Sequence, residues 1–532
     1  MAARGRFYVT TPIYYVNDRP HIGHLYTTTL ADVLARHHRH LGEDTFFLTG
    51  TDEHAVKVVE SAAGRGLTPD EWAARNAAEF QRAFARFGIS NDDFIRTSES
   101  RHVERVARYV GALLESGDVY AGDYEGWYDP GQEEYVPEGR AREWEYRSPI
   151  SGRPLVRRRE QNYFFRLSAW GDPLLELLEA RPDFVLPEAR RNEVMGRIRE
   201  GLLDVPISRC HEEGEPRWGI PMPGDPSHVI YVWIDALFNY LSAVDTDERR
   251  GFWPPSVHLI AKDILWFHAV IWPAMLLALR RCPGFDWVEL PERVYAHSFW
   301  ISEGQKMSKS LGNFVDLERL EAYADRFGLD ALRFFLVTQG PLGTHDADFA
   351  EARFVHVYAS ELANTLGNCA HRVAHMTGRY LGGQVAAPDP SCPAAGGLEA
   401  AAGRAVDEAL AAMERLAPDR ACAAALDLVR AVNAAIEETR PFALARDPER
   451  RGEVGTILYR CAEALRIAAL LLAPAMPERM AELLRRFGAA EIGERIRAGA
   501  HGELREWCRW GRLAPGTALE TGPPLFPRHD AA

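Results

Sequence analysis

Phe7-Tyr8-Val9 opens the stretch that decides the fold. It is followed by His21-Ile22-Gly23-His24, by apolar residues at helical spacing (Leu30, Val33, Leu34, Leu41), and by Thr45-Phe46-Phe47-Leu48-Thr49. A strand over residues 7–10, a crossover helix over 24–41 and a second strand over 45–49 imply a parallel pair with a right-handed connection. In such sheets ligands collect at the carboxyl ends of the strands. His21, His24 and Asp52, the last within Gly50-Thr51-Asp52-Glu53-His54, all fall at that edge. Backbone N–H groups and the helix dipole favour an anion there, and Gly23 lets the backbone come close to it.

Outward from this unit, strand signals return at Val229-Ile230-Tyr231-Val232-Trp233, Val257-His258-Leu259-Ile260 and Arg293-Val294-Tyr295-Ala296, and an apolar helix is expected over residues 264–279. Between the two halves, residues 122–160 are dense in Gly, Pro, Glu and Arg with interspersed aromatics, a pattern of short strands and turns. The parallel sheet is therefore expected to be split by an inserted module. Soon after its second half comes Lys306-Met307-Ser308-Lys309-Ser310, with Gly304 and Gly312 close by. Beyond residue 349 strand signals vanish. Val406, Ala409, Leu410 and Met413 share one helical face, as do Val429, Val432 and Ile436, so a bundle of about five helices is expected, with a Pro/Gly-rich tail over 515–527.

At 532 residues the chain exceeds one compact domain. The fold class expected is α/β, a Rossmann-like parallel-sheet catalytic domain followed by an all-α helical bundle. Residues 1–118 and 223–297 form the sheet halves, 119–222 the inserted module, 298–350 the lysine loop and linking region, and 351–532 the bundle with its tail. The net charge of −14 argues against a nucleic-acid module held by charge alone, so any RNA contact rests on local patches. Seven cysteines are scattered without a CxxC pair, which fits reduced interior thiols and gives no metal site. No apolar run approaches the roughly 20 residues that span a bilayer. With no apolar leader after Met1, a cytoplasmic location is the expectation.

A pair of histidines three apart is by itself more often structural than functional, and a Lys/Ser loop is usually solvated surface. Both together, in this order and on this architecture, reverse those odds. They resemble the two signatures of class I aminoacyl-tRNA synthetases. Thr11-Pro12-Ile13-Tyr14-Tyr15-Val16-Asn17, Gly50-Thr51-Asp52-Glu53-His54, Tyr231-Val232-Trp233-Ile234-Asp235-Ala236-Leu237 and Lys262-Asp263-Ile264-Leu265-Trp266-Phe267-His268 narrow the resemblance to the methionyl-tRNA synthetases, over residues 7–475.

The resemblance implies attack of a methionine carboxylate on the α-phosphate of ATP, then transfer of the aminoacyl group to the terminal adenosine of tRNA. His21, His24, Lys306 and Lys309 would be the catalytic residues; Asn17, Gly23, Ser308 and Ser310 would join them around ATP, which brings Mg2+. Asp52 would pair with the substrate ammonium. Ile13, Tyr15, Trp233, Ala236, Tyr240, Ile264, Phe267, His268 and Trp272 match the family's methionine pocket, and an aromatic wall suits a polarisable thioether. The helical bundle would read a CAU anticodon through Asn368, Arg372, Asn433 and Phe442. A monomer is expected.

Two regions depart from many relatives. Asp129 and Gln132 stand where a zinc knuckle has cysteines, and Ser148-Pro149-Ile150-Ser151 replaces a second cysteine pair. No tetrahedral thiolate site can form from these, so the insert is expected to be zinc-free, as in mitochondrial-type members. Phe442 stands where the family commonly has Trp. The alternative function is a methionine- or analogue-adenylating paralogue with altered tRNA specificity; a non-enzymatic RNA-binding relic of the fold is disfavoured by the intact His21, His24, Lys306 and Lys309.

Overall fold

The computed structural model describes residues 5–17, 19–130, 134–136, 138–210, 218–307 and 312–529. β1 (Arg6–Tyr15) and β2 (Asp44–Asp52) run parallel, with α1 (Ile22–Leu41) crossing between them and β3 (Asp93–Arg96) alongside β2. β1 outruns the expected residues 7–10 because Ile13-Tyr14-Tyr15 resumes pairing after a register shift between Thr10 and Ile13. That shift carries Tyr15 level with Asp52 at the carboxyl edge.

The sheet holds six strands, in the order β3, β2, β1, Val257–Ala261, Val294–His297, Val185–Leu186, and every neighbouring pair is parallel. Val257–Ala261 comes from the second half of the chain yet lies directly against β1, pairing Val9 with Val257 and Thr10 with His258. The final strand, Val185–Leu186, belongs to the stretch read as inserted, so its return leg is woven into the main sheet.

The expected parallel strand at residues 229–233 is corrected. Asp225–Ile230 instead forms an antiparallel sheet with Ser208–Cys210 and Pro221–Met222, and the chain then enters the helix Val232–Leu237. A short apolar run fits either a strand or a buried helix turn, and periodicity cannot separate the two. The insert is built on a long hairpin, Val119–Asp129 against Val156–Phe165, rather than on short strands, with a small cluster of Val136, Ala141 and Leu155 at its tip.

The second body of the chain is helical. Glu351–Val357, a π-turn segment Tyr358–Gly367 and Asn368–Leu381 follow one another without a break. Gly397–Glu414, Pro418–Thr439, Arg451–Leu472 and Pro477–Arg486 pack around them, with Arg451–Leu472 buried along nearly its whole length. α1 lies between the sheet and these helices, which is why it buries charged residues as well as apolar ones.

Arg333 fastens the two bodies. Its fully buried guanidinium donates to Asp32 of α1 at 2.6 Å, to the Phe87 carbonyl at 3.2 Å, and to the Pro474 and Ala475 carbonyls at 3.2 and 3.1 Å. Asp32 also accepts from Arg36 and from both the amide and hydroxyl of Ser90. Burial opposes ionisation of Asp32, but the Arg36 and Arg333 guanidinium groups prevail and hold its pKa well below the usual carboxylate range. A buried charge this completely bonded is tolerated; one left unpaired is not.

Candidate active site

The first turn of α1 is capped by histidines. His21 is the N-cap, and its Nδ1 accepts the Gly23 amide at 3.0 Å, while His24 Nδ1 accepts the His21 amide at 3.3 Å. The rings stack with centroids 3.8 Å apart. A nitrogen that accepts a backbone hydrogen carries no proton, so each ring holds its proton on Nε2. The tautomer that caps the helix is therefore the one that donates to an anion. Burial pushes the pKa of His24 well down and the neighbouring His21 adds to this, so His24 acts as a neutral donor. Gly23 is required by contact: a Cβ there would stand 2.9 Å from His21 Cε1.

The segments that flank the lysine stretch reach the same edge. Trp300–Ser302 and Gln305–Lys306 form a hairpin whose two-residue turn, Glu303-Gly304, has positive φ at both positions (51° and 73°). This is the turn geometry that matches strand twist. On the far side of the loop, the Ile22 amide donates to the Val315 carbonyl at 3.2 Å, His21 bridges Asp316, and Phe314 meets the His21 ring edge-on at 5.3 Å. The Asn313 side chain donates to the carbonyls of Ser302 and Lys306 at 3.3 and 3.2 Å, tying the loop's two ends together. Lys306 is exposed. Ser308, Lys309 and Ser310 lie outside the described residues.

At the same carboxyl edge, where β1 and β2 end, Tyr15 and buried Asp52 sit side by side. The Tyr15 ring meets Trp233 edge-on at 6.2 Å, and Trp233 stacks on Phe267 at 4.1 Å and 11°. Phe267 begins a π-helical turn, Phe267–Ile271, which breaks the expected single helix over 264–279 before Trp272–Arg280. Such turns re-aim side chains and recur at functional sites. Below the aromatic wall, the Tyr240 hydroxyl lies 2.8 Å from His268 Nε2, and His268 Nδ1 lies 3.0 Å from the Ile264 carbonyl. A carbonyl only accepts, so Nδ1 bears the proton and Tyr240 donates to Nε2. Burial lowers the His268 pKa to about 4, which keeps the ring neutral. Trp272 is fully buried one layer deeper, donating to His258 Nε2 at 3.2 Å. Ile13 and Ile264 are half-buried, Ala236 is buried, and Asn17 is exposed at the mouth.

In the helical body, Asn368 is exposed and Arg372, one turn on, is paired with Glu437 at 2.7 Å. Asn433 donates to the Thr365 carbonyl at 3.3 Å, which ties its helix to the Tyr358–Gly367 segment that leads into Asn368. Phe442 is half-buried beside Arg440, whose αL backbone (φ 47°) turns the chain between Pro418–Thr439 and Pro441–Leu444. Asn368, Arg372 and Asn433 thus lie together, with Phe442 past the Arg440 turn that ends the Asn433 helix.

Sequence reading missed the residues that brace this site. Glu53 carries a bidentate pair with Arg96 at 2.7 and 3.0 Å, and His54 and His102 both bond the buried Asp235. The available signal was a carboxylate inside the apolar run Tyr231-Val232-Trp233-Ile234-Asp235-Ala236-Leu237, since a buried charge demands a partner. Among the described residues, no three His, Cys, Asp or Glu side chains converge to hold a metal ion.

Comparison with known proteins agrees with this geometry. The family described as "tRNA synthetases class I (M)" matches residues 7–144 and 142–374. A methionine–tRNA ligase of Streptomyces coelicolor is 41% identical, covering 98% of this chain and 96% of that protein. One of Brucella melitensis is 40% identical over 99% and 98%. The Mycobacterium tuberculosis methionyl-tRNA synthetase solved with methionyl-adenylate superimposes with a TM-score of 0.88 at 36% identity, covering 98% of this chain and all of that one. With a six-stranded parallel sheet that carries the His21–His24 segment at its carboxyl edge, and with relatives matched along nearly its whole length, the chain belongs to the class I methionyl-tRNA synthetase family.

Proposed function

We propose that this methionine–tRNA ligase forms methionyl-adenylate between α1 and the lysine loop and charges a tRNA whose CAU anticodon is read by the helical body. A methionine carboxylate oxygen attacks the α-phosphorus of ATP; the bond to the bridging oxygen breaks and pyrophosphate leaves. His21 and His24 donate Nε2–H to the phosphates, and Lys306 and Lys309 neutralise the departing pyrophosphate, contacts that count most in the transition state. Asp52 holds the ammonium, Trp233 and Phe267 face the thioether, and His268 and Tyr240 close the floor. The terminal ribose hydroxyl of tRNA then attacks the carbonyl carbon and releases AMP. Mg2+ accompanies ATP through the phosphates.

The observation that carries this reading is the bond from Ile22 to Val315, with the His21–Asp316 bridge, which sets the segment just past the lysine stretch against the first signature. Residues 1–118 and 223–297 serve activation and 351–532 serve the anticodon, where exposed Asn368 and the Arg372–Glu437 pair support the assignment. The insert is read as zinc-free; buried Ser148 accepts the Ile150 and Ser151 amides at 3.4 and 3.1 Å through its hydroxyl, which supports a turn held by hydrogen bonds. Asp129 is buried in the same module, and Gln132 lies outside the described residues. The protein acts as a cytoplasmic monomer; among the described residues no helix is long and apolar enough to cross a membrane.

Methionine-dependent exchange of pyrophosphate into ATP tests the first step, and charging of CAU-anticodon tRNA against an anticodon variant tests the second. Exchange without charging of either tRNA refutes the ligase reading. Lys309→Ala is expected to slow adenylate formation far more than it weakens methionine binding; an unchanged rate removes Lys309 from the mechanism.

A further inference from the structure

The two ends of the methionine pocket are carried by different parts of the chain. Asp52 ends β2, and two residues further on is His54. Trp233 and Ala236 sit on the short helix Val232–Leu237, which follows the antiparallel strand Asp225–Ile230 and is not part of the main sheet. Asp235 is on that helix between them. Its side chain is fully buried, and each oxygen lies 2.6 Å from an imidazole: Oδ2 from His54 Nδ1, Oδ1 from His102 Nε2. His102 Nδ1 continues the chain to the Ser242 hydroxyl at 2.7 Å. Short bonds between charged or polar groups shielded from water are the strong ones.

Around Asp52 the backbone is bonded at every turn. The Glu53 amide donates to Thr97 Oγ1 at 2.9 Å, and its carboxylate takes Arg96, Ser98 and Thr51. Its carbonyl accepts the indole N–H of Trp218, whose ring meets His54 edge-on at 5.2 Å. His54 joins the end of β2 to the Trp233 helix through its bond to Asp235.

We infer that the buried His54–Asp235–His102 chain is a strut that fixes the distance between the ammonium site at Asp52 and the thioether wall at Trp233 and Ala236, and so sets the length of amino-acid side chain the enzyme accepts. The inference rests on the methionine-site assignment proposed above. His54, Asp235 and His102 are positioning residues: they act on the substrate through Asp52, Trp233 and Ala236. Groups that orient others from behind are where a site gains its precision, and a displacement of about 1 Å there changes rate or selection by as much as 10²-fold.

The test is steady-state pyrophosphate exchange with His54→Gln and Asp235→Asn, with His102→Gln as a third variant should either of these fail to fold. Each is assayed with methionine, with its one-carbon-longer S-ethyl homologue, and with varied ATP. Expected are a rise of about tenfold or more in the KM for methionine, a KM for ATP within about twofold of the parent, and a shift of at least about fivefold in the preference between the two amino acids. A fall in Tm with the methionine and ATP KM values moving together, or an unchanged preference, overturns the strut. Asp52→Asn is run in parallel. If it leaves the methionine KM unchanged, the site assignment itself fails; if it raises that KM while the three variants do not, only the strut fails.

Discussion

Gly23→Ala separates the placement of His21 from the stability of α1. A methyl group at Gly23 would stand 2.9 Å from Cε1 and 3.2 Å from Nδ1 of His21. Ordinary carbon–carbon contact is about 3.5–4.0 Å, so the ring must retreat by roughly 0.6–1 Å. That retreat breaks the 3.0 Å bond from the Gly23 amide and the 3.8 Å stack on His24. For stability two effects oppose each other. Alanine in a helix is favoured over glycine by about 1 kcal/mol, and a lost N-cap costs about 1 kcal/mol, so Tm should stay within a few degrees. For the reaction nothing offsets the loss, since a misplacement of about 1 Å costs up to 10²-fold. Pyrophosphate exchange is therefore expected to fall about 30–100-fold at nearly constant Tm. In a His21→Ala background the same substitution should cost almost nothing further, because the group it displaces is gone. Exchange within threefold of the parent, or an equal loss in both backgrounds, would refute the reasoning.

Three further outcomes follow from buried titratable groups and from the proposed anticodon face. His268 and His297 are lowered by burial to about 4, against roughly 6.5 in an unfolded chain, so between these values the unfolded state binds protons that the folded state refuses. Stability falls as pH drops from about 6.5 to 4, by up to about 1.4 kcal/mol per pH unit for each histidine, and these two contribute no slope above it; a urea midpoint flat between pH 6.5 and 4.5 contradicts this. Arg333→Met strips Asp32 of the guanidinium that joins it to the helical body and should cost about 3–5 kcal/mol in urea unfolding, with a loss under 1 kcal/mol counting against the hub. Phe442→Trp should lower the KM for tRNA several-fold, because a larger ring stacks better where stacking is worth about 1–3 kcal/mol per base; an unchanged KM takes Phe442 out of the anticodon site.

The parallel unit at the start of the chain was legible because every level agreed: apolar strands, a helical period between them, and chemistry at the carboxyl edge. The proposed methionine pocket was legible only by resemblance, because aromatics at Tyr15, Trp233 and Phe267 look like core in any pattern of burial. What defeated reading was the change from strand to helix at Tyr231, where an unbroken apolar run hides the turn that presents Trp233. The two-residue strand Val185–Leu186 was invisible for a different reason: it is held in the sheet by its partner Val294, not by any preference of its own. The braces at Glu53, Asp235 and Arg333 were written as charges among apolar neighbours, but a sequence does not say which opposite charge will come to meet them.

The seam between β1 and Val257–Ala261 has a bearing on how the protein is made. β1 leaves the ribosome before its neighbour on that side, which is synthesised about 240 residues later. At the usual pace of translation that is roughly 12–50 s. For that interval Phe7-Tyr8-Val9-Thr10, flat, apolar and rich in β-formers, presents an open hydrogen-bonding edge to every other nascent chain nearby. The split that lets the two halves meet at one catalytic edge thus also makes this protein a natural client of chaperones, and its refolding from denaturant should lose yield steeply as concentration rises.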